Sequence, residues 1–311
     1  MSAVLSLNSS YYEALKRLTL ELAGVNLGSD HAFLIETRLA VLARVEGVEK
    51  LEDLIEELFS TGQTRLAVRV VSCLLERDTH FYSDRESFDL LEEVILPTLY
   101  TTHKGNMIRI LSFGCSSGQE PYSVMMMARR CFEKFDGMRI EVTGVDYPSS
   151  ALERAKIGRY THFDVQRGLP ARDLVTYFDR HGEDWQIKPS IRERVVFRET
   201  HLLSNLSDLG AFEVVLFRNA LPHYSSPAQV RVIRGLSGLV QPRGFLLLGS
   251  NEDLEQLQYG FDPLAGHPNI LRKHEARVEV KEEPVDPNIK KPSGRKTFDK
   301  SPYVPPTGTD F

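Results

Sequence analysis

The chain has 311 residues, 41% hydrophobic and 26% charged, ordinary proportions for a soluble globular protein with a core that needs no disulfide or metal staples. A formal net charge of −5 and a pI near 6.0 argue against a dedicated nucleic-acid binder, whose interaction face is basic. Residues 1–10 lack the basic start and apolar run of a secretion signal, and no stretch approaches the ~20 apolar residues of a membrane helix.

Residues up to about 76 read as four short helices. Residues 11–23 place Tyr12, Leu15, Leu18, Leu20 and Leu22 at roughly helical spacing, and residues 31–45 do the same with Phe33, Leu34, Leu39, Val41 and Leu42. Residues 51–59 and 64–75 complete the set, with breaks at 24–28, around Gly47 and at 60–63. We therefore expect a helical N-terminal domain over residues 1–88.

The pattern then changes to strands alternating with helices. Apolar runs at 107–113 (MIRILSF), 140–145 and 214–217 read as buried strands, and residues 121–132 as a helix. A fourth run, 245–248 (FLLL), follows Gln241-Pro-Arg-Gly244, which reads as a turn. This alternation predicts an α/β domain over residues 89–280, with a mostly parallel sheet covered on both faces. Between about 159 and 197 the rhythm breaks, and residues 185–188 and 194–197 read as strands of a small antiparallel insert. From 281 to 311 the chain is rich in Pro, Lys, Ser and Gly and reads as a disordered tail.

Cys73, Cys115 and Cys131 form no CxxC pair, and the nine histidines form no HxxxH or Cys/His cluster. The expectation is a cytoplasmic monomer without membrane insertion, bound metal or nucleic-acid partner.

The sharpest local feature is FGCSSGQEPY, residues 113–122, between a strand and a helix. Gly114 and Gly118 permit a tight turn and close backbone approach to a ligand, with Cys115 and Ser116 between them. The helix that follows opens with unpaired N–H groups, attractive to an anion, and Pro121 suits its first turn. Asp146 ends the next strand, where an acid can accept both hydroxyls of a ribose. Glu120 either pairs with a ligand ammonium or favours the helix start by its charge. A ligand with an amino-acid end and an adenosine end satisfies all three features.

LSFGCSSGQEPYS resembles the first motif of the CheR family of chemotaxis receptor methyltransferases, in which Gly-Glu-Glu-Pro-Tyr-Ser follows the first strand. Further segments match in order: Thr79-His-Phe-Tyr82, Gly144-Val-Asp146, AKIGRY at 155–160, VQRGLP at 165–170, Phe217-Arg-Asn219 and LGSNE at 248–252. The resemblance spans roughly residues 11–254. It implies a Rossmann-like S-adenosylmethionine methyltransferase domain with a small antiparallel β insert, preceded by an all-α domain. It also implies S-adenosyl-L-methionine as cofactor and methyl-ester formation on glutamates of a chemoreceptor-like partner. The cofactor residues it implies are Thr79, Gly114, Cys115, Ser116, Gly118, Glu120, Asp146, Tyr147, His201, Leu202, Arg218 and Asn219, and the catalytic ones Arg218, His223 and Tyr224.

The chain departs from the family on the acceptor side. Ser83 stands where the family has an arginine, and His223 where it has an active-site tyrosine. His201-Leu202 replaces an Asn-Leu pair, Ser250-Asn251 a His-Ser pair, and Leu42 a customary arginine on a basic helix that keeps Arg38 and Arg44. Arg85 lies two residues from Ser83, but that spacing points it elsewhere on a helix. Two readings follow: an active glutamate O-methyltransferase, or a catalytically degenerate relative that binds the cofactor or its product and serves as a signalling module. The short RHGEDW segment at 180–185 resembles family members that do not tether a receptor pentapeptide.

Overall fold

The computed structural model describes residues 7–28, 32–62, 64–75, 79–103, 107–147, 150–250, 252 and 260–275. The tail expected from 281, together with Asn251, lies outside them. The chain divides into two compact units, one of residues 1–22, 27–75 and 279–311, the other of 23–26 and 76–278. Phe88, where the sequence reading placed the end of the first domain, packs in the core of the second unit.

The first unit contains α1 (Ser9–Ala23), α2 (Ala32–Glu46), α3 (Leu51–Thr61) and α4 (Thr64–Leu75). In α3 the buried residues Leu51, Leu54, Ile55 and Leu58 follow i, i+3, i+4, i+7, the stripe that seats a helix on a core. Gly62, at φ 60, ends it in the left-handed cap that lacks a Cβ penalty. Arg38 donates from Nη1 to the carbonyl of Leu74 at 2.8 Å, covering one of the open carbonyls at the end of α4. Leu42 is buried in the same core as Leu39 and Leu54, whereas Arg44 is exposed.

In the second unit α5 (Arg85–Leu90) runs through a π turn (Leu91–Ile95) into α6 (Leu96–His103). There follow β1 (Met107–Phe113), α7 (Gln119–Lys134), β2 (Arg139–Asp146), α8 (Ser150–Ile157), β3 (Arg159–Tyr160), α9 (His162–Gln166), α10 (Ala171–Tyr177), β4 (Phe178–His181), β5 (Asp184–Ile187) and α11 (Pro189–Arg192). The unit closes with β6 (Val195–Glu199), β7 (Phe212–Leu216), α12 (Ser226–Leu239), β8 (Val240–Leu247), β9 (Phe261–Leu264) and β10 (His267–Lys273).

Seven strands form one sheet in the order β6-β2-β1-β7-β8-β10-β9, parallel through β8 and antiparallel at β10 and β9. Its two faces bury alternate residues: Ile108, Ile110, Val214 and Leu216 on one, Leu111, Phe113, Val215 and Phe217 on the other. Burial on both faces is why these strands appear in the sequence as predominantly apolar runs. A separate antiparallel sheet, β3-β5-β4, forms the small insert, its β4–β5 hairpin closed by a two-residue turn at Gly182-Glu183.

Two strand expectations are corrected. Residues 194–197 do not belong to the insert: β6 pairs in parallel with β2, from Val142 against Val195 to Asp146 against Glu199. As an outer strand of the main sheet it is only partly covered, and its mixed burial resembles that of a hairpin strand. Gln241–Gly244 is not a turn before a strand but lies within β8, where the pairing with β7 shifts register. Arg243 takes φ 63 there, and a Cβ on Gly244 would meet the Glu213 carbonyl at 2.8 Å, so proline and glycine serve an irregular strand.

Gly144, inside β2, makes a close packing site. An added Cβ would lie 2.8 Å from the Phe197 ring and 3.1 Å from Cys115 Sγ. Gly144→Ala is expected to lower stability by about 1–3 kcal/mol, the range for overpacking, read as a lower urea midpoint. An unchanged midpoint would show that Phe197 yields without cost.

Candidate functional site

The site is assembled at the carboxyl ends of β1, β2 and β7. Beyond Phe113 the chain turns through Gly114 at φ 79, Ser116 at φ 48 and Gly118 at φ 91, then enters α7. The Gly114 and Cys115 amides both donate to the Val145 carbonyl, at 2.7 and 3.1 Å, and tie the turn to the end of β2. The Ser116 amide donates to Asp146 Oδ2 at 2.6 Å, and the Tyr147 amide to Oδ1 at 2.7 Å. From below, Tyr160 donates to the Ser117 carbonyl at 2.7 Å. The loop is thus held by its neighbours as well as by its own Gly118 amide, which donates to the Cys115 carbonyl at 2.9 Å.

Cys115 is buried, and that burial pushes its thiol well up, reinforced by the nearby Asp146 and Glu120 carboxylates. It stays a neutral, small apolar residue, without the thiolate a nucleophile needs. Glu120, in the first turn of α7, is buried and accepts from Ser112 Oγ at 2.7 Å. Past β2, the Tyr147 ring stands edge-on to His201 at 4.8 Å. His201 Nδ1 accepts from the Leu203 amide at 3.1 Å, and Leu202 is buried in the core beneath.

At the end of β7 stands Arg218, whose side chain is 2% exposed. Its Nη2 donates to the Ser83 carbonyl at 2.5 Å and reaches Ser83 Oγ at 3.3 Å. Asp84 lies 3.6 Å from Nη2 and Glu120 3.4 Å from Nη1. Among the described residues, Nε and Nη1 make no hydrogen bond. Asn219 follows at φ 56, its amide donating to Glu252 at 2.9 Å.

The other acceptor-side residues are dispersed. His223 is exposed, and its carbonyl accepts from the Asn26 amide. The Tyr224 ring packs on Phe217 with centroids 6.3 Å apart. Arg85 is exposed and pairs with Asp89, not with the Ser83 side. Thr79 is half-buried, and Phe81 is a wall residue packed edge-on against Tyr160 and Phe178.

Two features escape a reading of the sequence. One is Glu252, described below. The other is a buried network in which Tyr82 donates to Asp173 Oδ2 at 2.5 Å, Arg130 donates to Asp173 at 2.9 Å and to Glu92 at 2.9 Å, and Lys134 reaches Glu92 at 3.2 Å. Partners so far apart in the chain leave no periodic signal. Only the extra hydroxyl of Tyr82, where the resembled motif has phenylalanine, hints at it.

A parallel sheet, a glycine turn pinned to the next strand and an acid closing that strand define a Rossmann-like methyltransferase domain. Residues 77–269 match the family model described as "CheR methyltransferase, SAM binding domain". The chain is 33% identical over 253 residues to chemotaxis protein methyltransferase 1 of Pseudomonas aeruginosa, covering 80% of this chain and 92% of that one. It is 31% identical to chemotaxis protein methyltransferase Cher2 of Pseudomonas putida, over 82% and 94% of the two chains, and 28% identical to a chemotaxis protein methyltransferase of Vibrio anguillarum, over 88% and 99%. The chain belongs to the CheR methyltransferase family, and its cofactor is S-adenosylmethionine.

The Tyr82 network makes stability depend on pH at both ends. Burial, then Asp173, lifts Tyr82 above its usual 10, so its contribution is full below pH 10 and is lost as pH rises beyond. Burial works to raise Glu92, but hydrogen bonding and charge from Arg130 prevail and hold it below 4.5; its contribution is present above pH 4.5 and lost as pH falls. Tyr82→Phe should cost about 1.5–3 kcal/mol at neutral pH, typical of a hydrogen bond to a charged group, and flatten the alkaline decline. Urea midpoints at pH 7 and above 10 that match wild type would contradict this.

Proposed function

We propose that this protein is an S-adenosylmethionine-dependent O-methyltransferase forming methyl esters on glutamate side chains of chemoreceptor-like proteins. The observation that carries the reading is Arg218, a buried guanidinium with two nitrogens lacking hydrogen-bond partners among the described residues, set beside Glu120 at the end of β7. Unsatisfied buried donors of a charged group are costly unless a ligand completes them, and a planar guanidinium suits a carboxylate. The relatives' name, chemotaxis protein methyltransferase, supports the same acceptor class.

When bound, S-adenosylmethionine supplies an electrophilic methyl group. The residues of this chain fit that cofactor by their chemistry. Asp146 would accept from the ribose hydroxyls, and the turn from Gly114 through Cys115 and Ser116 to Gly118 would let the backbone come close. Glu120 would take the ammonium, and Tyr147, His201 and Leu202 would serve the adenine end. Thr79 and Asn219 would complete the rim, and Arg218 would meet the acceptor, with the exposed His223 and the Phe217-packed Tyr224 set apart from it.

A glutamate side chain, with a reference pKa of about 4.3, is already ionised at neutral pH. It needs no general base. The chain's task is alignment and exclusion of water. Arg218 provides the alignment from a buried position, and its bond to the Ser83 carbonyl fixes it where the family's additional arginine is missing. This supports the enzymatic reading despite Ser83 and His223.

Calorimetric titration with S-adenosylmethionine and S-adenosylhomocysteine tests the cofactor half, with micromolar binding expected and its loss in Asp146→Ala. Labelled-methyl incorporation into receptor preparations tests the acceptor half, with Arg218→Ala expected to reduce kcat/KM by about 100-fold or more, as for loss of an electrostatic positioning group. Binding without incorporation would leave a cofactor-binding signalling module and overturn the enzymatic reading.

A further inference from the structure

Four backbone N–H groups converge on a single carboxylate beside Arg218. Glu252 is 5% exposed. Its Oε2 accepts from the amides of Asn219 at 2.9 Å and Gly249 at 2.6 Å. Its Oε1 accepts from those of Ala220 and Leu221, both at 2.8 Å. An ionised carboxylate is acceptor-only with about four lone-pair sites, so this one side chain satisfies all four donors.

The three consecutive amides belong to the turn by which the chain leaves β7. Asn219 takes φ 56 there, the left-handed conformation that asparagine enters more readily than other side-chain-bearing residues and that reverses the chain at this point. Without Glu252 the Ala220 and Leu221 amides would be buried donors that have lost their acceptor, and the turn would lose the side chain that ties residues 219, 220 and 221 to Gly249. The end of β8 presses on the same turn: a Cβ on Gly249 would lie 2.4 Å from Asn219 Oδ1, 2.9 Å from the Asn219 nitrogen and 2.9 Å from Glu252 Oε2. Arg218 is the residue immediately before this clasped turn, so the direction of its side chain is inherited from it.

We propose that Glu252 is a positioning residue for methyl transfer, its carboxylate clasping residues 219–221 and 249 so that Arg218 is aimed between Asp84 and Glu120. It touches neither cofactor nor acceptor; it acts through Arg218. This rests on the methyltransferase reading above.

The experiment uses the full chain with Glu252→Gln, which keeps the shape but turns an amide NH2 toward amide donors, so that part of the clasp is lost. Amide hydrogen exchange should rise at 219–221 and 249 while β7 stays protected. With receptor preparations as acceptor, kcat should fall about 100-fold, as for a slight misplacement of an aligning group. The dissociation constant for S-adenosylhomocysteine should stay within about three-fold, because most of its proposed contacts lie on β1 and β2. A purely structural role predicts a lower melting temperature with kcat per folded molecule unchanged, and that result would overturn the proposal. If Glu252→Gln does not fold, Gly249→Ala decides: it presses on Asn219 with the carboxylate intact and should lower kcat similarly, and wild-type kcat there would count against the clasp. Absence of transfer by the wild-type chain would sink the function and the clasp together, whereas wild-type kcat in an active Glu252→Gln enzyme sinks the clasp alone.

Discussion

The Gly114 and Cys115 amides share one acceptor, the Val145 carbonyl, and the rest of the site follows from that arrangement. Parallel pairing brings Phe113 opposite Val145, so the chain leaves β1 level with the point where β2 ends. The turn is then near enough for the Ser116 amide to reach Asp146, and the carboxylate becomes the fixed point between loop and second strand. A sheet paired one residue out of step would send the Asp146 side chain to the other face and part it from the Ser116 amide. Small residues in the crossing region, Gly144 and Gly118 among them, let the layers come this close.

The charges around Arg218 obey a different logic. One cation lies between Asp84 and Glu120, with Nη2 donating to a backbone carbonyl and Nε and Nη1 without a hydrogen bond among the described residues. A lone buried guanidinium would be strongly disfavoured, and two acids near it would repel each other without it. Each therefore makes the others tolerable. Ser83 meets Arg218 through its carbonyl rather than with a second positive charge.

How much of this could be read beforehand depended on how local the signal was. The strand MIRILSF and the run FLLL were legible because burial on both faces makes them predominantly apolar, with Arg109 and Ser112 the exceptions in the first. The glycine turn and Asp146 were legible because each follows its strand directly. Val195–Glu199 was assigned to the wrong sheet because partial cover at the sheet margin gives it a mixed pattern. The start of β8 was hidden by Pro242 and Gly244, and β9 and β10 by Pro263 and Pro268, residues that usually punctuate turns but here lie within strands; Gly266 does mark a turn, the one that joins β9 to β10. Glu252 and Asp173 were invisible as partners because Glu252 meets the β7 turn from 31 to 33 residues away and Asp173 meets Tyr82 from 91. No window of periodicity spans such distances.

The segment from Phe81 to Asp84 is joined more firmly to the small insert than its place in the chain suggests. Phe81 packs edge-on against Tyr160 and Phe178, a Cβ on Gly168 would collide with the Phe81 carbonyl at 2.0 Å, and Tyr82 is bonded to Asp173. The wall that holds Ser83 and Asp84 against Arg218 is therefore a mechanical extension of the insert, although some 75 residues separate Ser83 from β3. Grafting the insert from one relative to another without residues 81–84 would split a single packed body, so the natural unit of exchange between these enzymes is the insert together with that wall.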